Sequence, residues 1–152
     1  MLKKIISGGQ TGVDRAALDS AIRLGIDHGG WIPKGRLTED GPLPPNYNMT
    51  EMPTDSYSER TEKNVTESDG TLIISQGTPT GGTDYTRKMA LKYGKQLLHI
   101  DLALHGNLHN AASLVSSWLE MNKIETLNVA GPRASKDPTI YMKALSILSR
   151  IK

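Results

Sequence analysis

Ser7-Gly8-Gly9-Gln10-Thr11-Gly12-Val13-Asp14 follows the apolar pair Ile5-Ile6 and runs into a stretch with helical spacing. A strand, a glycine-rich turn and a helix start, in that order, make an anion site. Glycine lets the backbone approach a ligand, and the first free N–H groups of the helix point at it. Val13, Ala16, Ala17, Ala21 and Leu24 carry the helical spacing, and Gly25 stops it. We read residues 7–14 as one wall of a site for something phosphorylated. The stretch is not the dinucleotide fingerprint. Its glycines are spaced differently, and the next strand ends at Gly30-Trp31-Ile32-Pro33, without the acid that holds a ribose. It is not a Walker A loop, because no Lys-Ser/Thr follows Gly12.

Outward from this stretch, strand and helix alternate. Strands are predicted at 3–7, 28–32, 71–75, 96–101 and 126–130, and helices at 13–24, 58–67, 84–93, 110–122 and 138–151. Ser58 is read as the cap of its helix, and Pro138 as the first residue of the last one. Thr71-Leu72-Ile73-Ile74-Ser75 shows no polar alternation, which suits burial on both faces of a parallel sheet. The pattern predicts an α/β fold, doubly wound. It has a mostly parallel five-stranded sheet with helices on both faces, in a single domain over 1–152. Residues 36–55, with Gly41-Pro42-Leu43-Pro44-Pro45, are irregular and are expected to lie over the carboxyl edge of the sheet.

Ligands of such sheets bind at the carboxyl ends of the strands. The loops after the first, third and fifth strands open onto that edge. The second, Gly77-Thr78-Pro79-Thr80-Gly81-Gly82-Thr83-Asp84, offers hydroxyls from Thr80 and Thr83 beside backbone N–H groups. The third, Gly131-Pro132-Arg133-Ala134-Ser135, supplies Arg133, whose guanidinium matches an oxyanion bidentately. Arg60 is the next candidate cation, on a polar helix face it shares with Thr61 and Asn64, and Lys34 the third. The ligand-binding set is therefore Gly8, Gly9, Gln10, Thr11, Gly12, Lys34, Arg60, Asn64, Gly77, Thr80, Gly81, Gly82, Thr83 and Arg133. Residues 36–57 would cover a flat ring, with Trp31 or Tyr47 stacking on it. Asp14, Glu59, Asp84 and Asp101 are the nearby acids. Should the protein be an enzyme, Glu59 and Asp84 are its candidate catalytic residues. His105 and His109 have metal-ligand spacing only on a helix, and Gly106-Asn107 favours a loop, so no protein-bound metal is predicted.

A net charge of +2 gives no basic excess for a nucleic acid polymer, and no apolar run is long enough for a membrane span. The N-terminus lacks the pattern of a secretory signal. There is no cysteine, so the chain has neither disulfides nor thiolate ligands. A cytoplasmic setting is the resulting expectation.

The ordered set Gly8-Gly9-Gln10-Thr11-Gly12-Val13-Asp14-Arg15, Gly29-Gly30-Trp31-x-Pro33-Lys34-Gly35, Arg60-Thr61-x-x-Asn64-Val65 and Gly77-x-x-x-Gly81-Gly82-Thr83 resembles the molybdenum carrier family. That family lies within the SLOG, or lysine-decarboxylase-like, superfamily. The resemblance implies a Rossmann-like fold and a small anionic ligand, molybdenum cofactor or a nucleotide-derived molecule. It also implies a homo-oligomer, in the first place a dimer. A phosphoribohydrolase-like N-glycosidic hydrolase and a nucleotide-sensing module are the alternatives. The hydrolase branch carries Pro-Gly-Gly-x-Gly-Thr-x-x-Glu, and its glutamate has no counterpart after Gly81-Gly82-Thr83 unless Asp84 serves.

Overall fold

Short apolar runs supply the middle of the molecule, and the glycines between them decide where the chain turns. The computed structural model describes residues 1–151. In chain order it comprises β1 (Lys4–Ile6), α1 (Val13–Leu24), β2 (Asp27–Gly29) and β3 (Trp31–Ile32). A 3-10 turn (Lys34–Arg36), β4 (Leu37–Thr38), β5 (Gly41–Pro42), β6 (Thr50–Glu51) and α2 (Tyr57–Thr66) follow. The second half holds β7 (Gly70–Ser75), α3 (Gly81–Lys92), β8 (Gln96–Asp101), α4 (Leu108–Met121), β9 (Thr126–Ala130) and α5 (Ile140–Leu148).

Five strands form one sheet in the order β2-β1-β9-β7-β8, and every pairing in it is parallel. This is the Rossmann-like α/β architecture that the alternation predicts. β7 is buried along its whole length, as a central parallel strand should be. Its alternate residues serve the two faces. Leu72 and Ile74 join Ile5, Leu127, Val129 and Ile100 in a core closed by apolar residues of α1, α4 and α5. Thr71, Ile73 and Ser75 point to the other face, where α2 and α3 pack on each other. Fully burying a Leu or Ile is worth roughly 1.5–3 kcal/mol, so this layer is the main source of cohesion.

The sequence reading needs correction at several boundaries. The predicted strand 28–32 is two strands. Gly30 sits at φ +121°, and the chain leaves the central sheet there. Trp31–Ile32 then pairs with Thr50–Glu51 in a small parallel sheet of its own. Ser56, not Ser58, caps α2, its hydroxyl accepting from the Glu59 N–H at 3.3 Å. α3 begins at Gly81, earlier than predicted, so two glycines read as loop lie in its first turn. α5 begins at Ile140: the Asp137 carboxylate accepts from the Thr139 N–H and hydroxyl, and this turn keeps Pro138 outside the helix.

Residues 36–55 reach the carboxyl edge only through Glu39 and do not line the cavity there. They fold into the β4–β5 hairpin and the approach to β6, on the flank of α1. Arg36 donates to the carbonyls of Leu43, Pro44 and Tyr47, and Leu43 is buried with Leu18 and Ile32.

A side chain at Gly30 would collide with the Ser7 carbonyl, at a φ that disfavours any other residue. Gly30→Ala is therefore expected to lower stability by about 1–3 kcal/mol, read as a lower urea midpoint with unchanged slope. A wild-type midpoint would show that the turn has room to relax.

Candidate functional site

Three neighbouring parallel strands, β1, β9 and β7, end on the same edge, and the loops after them surround a cavity of about 530 Å³. Gly8 and Gln10 come from the first loop, Thr78 to Thr83 from the second, and Gly131 to Arg133 from the third. α2 adds Tyr57, Arg60 and Asn64 from along its length.

The first loop is not the open anion cradle its glycines suggest. Four of its N–H groups are spent inside the protein. Gly9 donates to the Ser7 hydroxyl, Gln10 to the Asp14 carboxylate, Thr11 to the Gln10 side-chain carbonyl and Val13 to the Pro132 carbonyl. Gly9, Thr11 and Gly12 do not line the cavity. Gly9 faces Ile32, Leu43 and Met49, and Gly12 lies against the Pro132 carbonyl, both at positive φ. These glycines serve backbone packing, not ligand approach. Gly8 is different, because a side chain there would collide with the Arg60 guanidinium.

Arg60 and Asp14 form the floor. Arg60 Nη1 lies 3.6 Å from Asp14 Oδ2, and their side chains are 12% and 9% exposed, respectively. Burial pushes the Asp14 carboxyl up to about 6, against the pull of Arg60, the Gln10 N–H, Arg15 and Arg133. Burial likewise holds Arg60 below its ordinary value, and the nearby Arg133 adds to that, while Asp14 opposes it. Both shifts say that desolvation outweighs the attraction, so this pair is poor evidence for stability. Arg60 Nε is buried with no hydrogen-bond partner among the described residues. Groups left in that state are unusual enough to need a reason.

The mouth carries the other cations. Arg133 is 40% exposed and only loosely paired, 4.0 Å from Glu39. Lys136 is exposed, and its ammonium lies against Gly81 at the start of α3. No side chain caps α3 at Thr80, and Gly82 has open space around it. Helix starts in this condition favour anions.

Glu39, in the β4–β5 turn, ties the first loop to the third. It accepts from the Thr11 and Ser135 hydroxyls and from the Ser135 N–H, and these bonds hold its carboxyl below the usual range. The sequence reading missed this strap, because its partners lie far apart in the chain.

Several predicted residues fall elsewhere. Lys34 is outside the cavity, its N–H bonded to the Thr54 carbonyl. Gly77 turns the chain behind the wall, its N–H bonded to Asp101, whose carboxyl is held low by that bond and by the Ala103 N–H. Asn64 reaches the cavity, but its amide accepts from the Trp31 N–H and donates to the Trp31 carbonyl. Glu59 accepts from Thr54, and Asp84 pairs with Arg87 and Lys88; neither lines the cavity. Trp31, whose N–H donates to Glu67, and Tyr47, whose hydroxyl donates to Asp19, both lie outside the cavity, so neither is placed to stack on a ligand there. Tyr57 and Tyr85 are the aromatic residues on the wall. Lys136, Tyr57 and Asn128 were legible signals. Each is a polar or aromatic residue beside a motif already singled out, and Asn128 interrupts an otherwise apolar strand.

A parallel sheet whose three central loops enclose a polar cavity with surplus cations defines a Rossmann-like α/β protein with its site at the carboxyl edge. Residues 5–152 match the circularly permutated YpsA SLOG family, and the chain belongs to that family. It is also similar to the crystal structure, at 1.45 Å resolution, of a "Putative molybdenum carrier protein" from Syntrophus aciditrophicus SB. The two are 54% identical with a TM-score of 0.95, over 98% of this chain and 94% of that one. No curated relative matches.

The raised Asp14 value has a defined sign. A carboxyl that holds its proton more tightly when folded adds stability below its ordinary value of 3.8, and that contribution is lost as pH rises through about 6. The Asp14 carboxyl carbon is expected to titrate near pH 6 by NMR. Asp14→Asn should flatten the fall in stability between 3.8 and 6. A midpoint near the ordinary carboxylate value would mean that water reaches the group freely.

Proposed function

We propose that the protein binds and carries a small phosphorylated ligand, pterin- or nucleotide-like, without turning it over. Molybdenum cofactor is the first candidate, by similarity to the Syntrophus protein. One observation carries this reading. At the mouth of the cavity, Lys136 stands beside the uncapped start of α3, and Arg133, Thr78, Thr80 and Thr83 line the same cavity. Around the whole cavity, Arg60, Arg133 and Lys136 face only Asp14 and Asp137, which leaves a formal excess of one positive charge. Donors of this kind match phosphate oxygens.

A carrier rather than a hydrolase is supported by the acids. Glu59 and Asp84, the residues a hydrolase reading would use, are occupied away from the cavity. These 152 residues contain no cysteine, so a molybdenum centre carried here travels on the ligand's own sulfurs or as an oxyanion held by N–H groups. The chain contributes charge, N–H groups and shape.

Native mass spectrometry with metal analysis of the purified protein tests the ligand's identity, and calorimetric titration with pyrophosphate tests the anion site. Arg133→Ala is expected to weaken pyrophosphate binding by about 1.5–3 kcal/mol, the worth of a charge-assisted hydrogen bond. Unchanged affinity would remove Arg133 from the site, and no binding by the wild type would end the reading.

A further inference from the structure

We propose that Asp14 and Arg60, at the deep end of the cavity, read the edge of an aminopyrimidinone ring, the amide N–H, amino and carbonyl face that guanine and pterins share. The inference rests on the reading of the protein as a binder of a phosphorylated ring compound, and it says which end of that compound enters first.

Charge follows a depth gradient along the cavity. The deep cation is already matched: Arg60 is 12% exposed and has Asp14 beside it at 3.6 Å. The mouth cations are free or nearly so: Arg133 is 40% exposed and Lys136 lies in the open beside the start of α3. Moving a phosphate dianion to the floor would cost more desolvation and would set it against a carboxylate. The first loop offers it little in return, because the N–H groups of Gly9, Gln10, Thr11 and Val13 are already bonded. The phosphate therefore belongs at the mouth, and the floor suits a neutral polar edge.

The floor also has the right pattern of donors and acceptors. Asp14 Oδ2 is taken by Gln10 and Arg60, whereas Oδ1 accepts no hydrogen bond among the described residues. Arg60 keeps donor capacity on its terminal nitrogens, since the Nη1 contact with Asp14 is longer than a charge-assisted hydrogen bond. An acceptor and a donor side by side complement an edge that donates through N–H and amino groups and accepts through C=O. Adenine lacks that sequence of groups. Hypoxanthine keeps the amide and loses only the amino group. Tyr57, 5.6 Å from the Arg60 guanidinium carbon, supplies a flat wall beside this floor.

Calorimetric titration of the full chain at neutral pH with GMP, IMP, AMP and pyrophosphate tests this. GMP is expected to bind more tightly than IMP and AMP by on the order of tenfold or more, because a buried carboxylate left without its donor is penalised. Asp14→Asn is expected to bring GMP level with IMP. Should that variant not fold, the wild-type ratio of GMP to IMP decides alone. Equal affinities for the three nucleotides, with pyrophosphate still bound, would overturn this inference and leave the phosphate site standing. Failure of all four probes would remove both.

Discussion

Parallel pairing of β1, β9 and β7 is the constraint from which the rest follows. Strands that run the same way must end on the same edge, so the three loops after them meet whatever their sequences say. Each must then turn within a few residues without blocking its neighbour. Glycine meets that demand at the tightest points. A side chain at Gly12 would strike the Pro132 carbonyl, and one at Gly131 would strike the Ile74 carbonyl and Val13. The cavity is thus a by-product of strand direction, shaped by backbone contacts that only glycine allows.

What fills the edge is electrostatic. The Asp14–Arg60 pair sits where water is scarce, and burial works against the charge on both partners. A fold does not need such a pair for stability, since apolar residues of similar volume often do as well. Its place on the cavity floor makes more sense as recognition. The cations at the mouth remain in contact with water and cost little to keep. On the reading proposed above, two tasks are separated along one cavity, charge neutralisation outside and pattern reading inside. The Glu39 strap ties the first loop to the third.

Membership of the circularly permutated YpsA SLOG family and likeness to the Syntrophus protein establish the architecture. Function lives in the side chains placed on that architecture. In the proposal made here those are Arg133 and Lys136 at one end and Asp14 and Arg60 at the other.

The sequence by itself determined the α/β class, the five strands, the three loops and the two arginines. Those features depend on local signals: unbroken apolar runs for buried parallel strands, helical spacing, and glycine where a strand gives way to a helix. It could not show which glycines face a ligand. Gly8 and Gly9 are neighbours of the same type, yet one lies against the Arg60 guanidinium and the other against Ile32 and Leu43. Nor could it show that the first loop spends four of its N–H groups internally, or that α3 begins at Gly81 and so offers the open helix start. The placing of Trp31, Lys34 and Tyr47 outside the cavity was decided by the turn at Gly30 and the Glu39 strap. These depend on contacts between residues distant in the chain, and only the folded backbone brings such residues together.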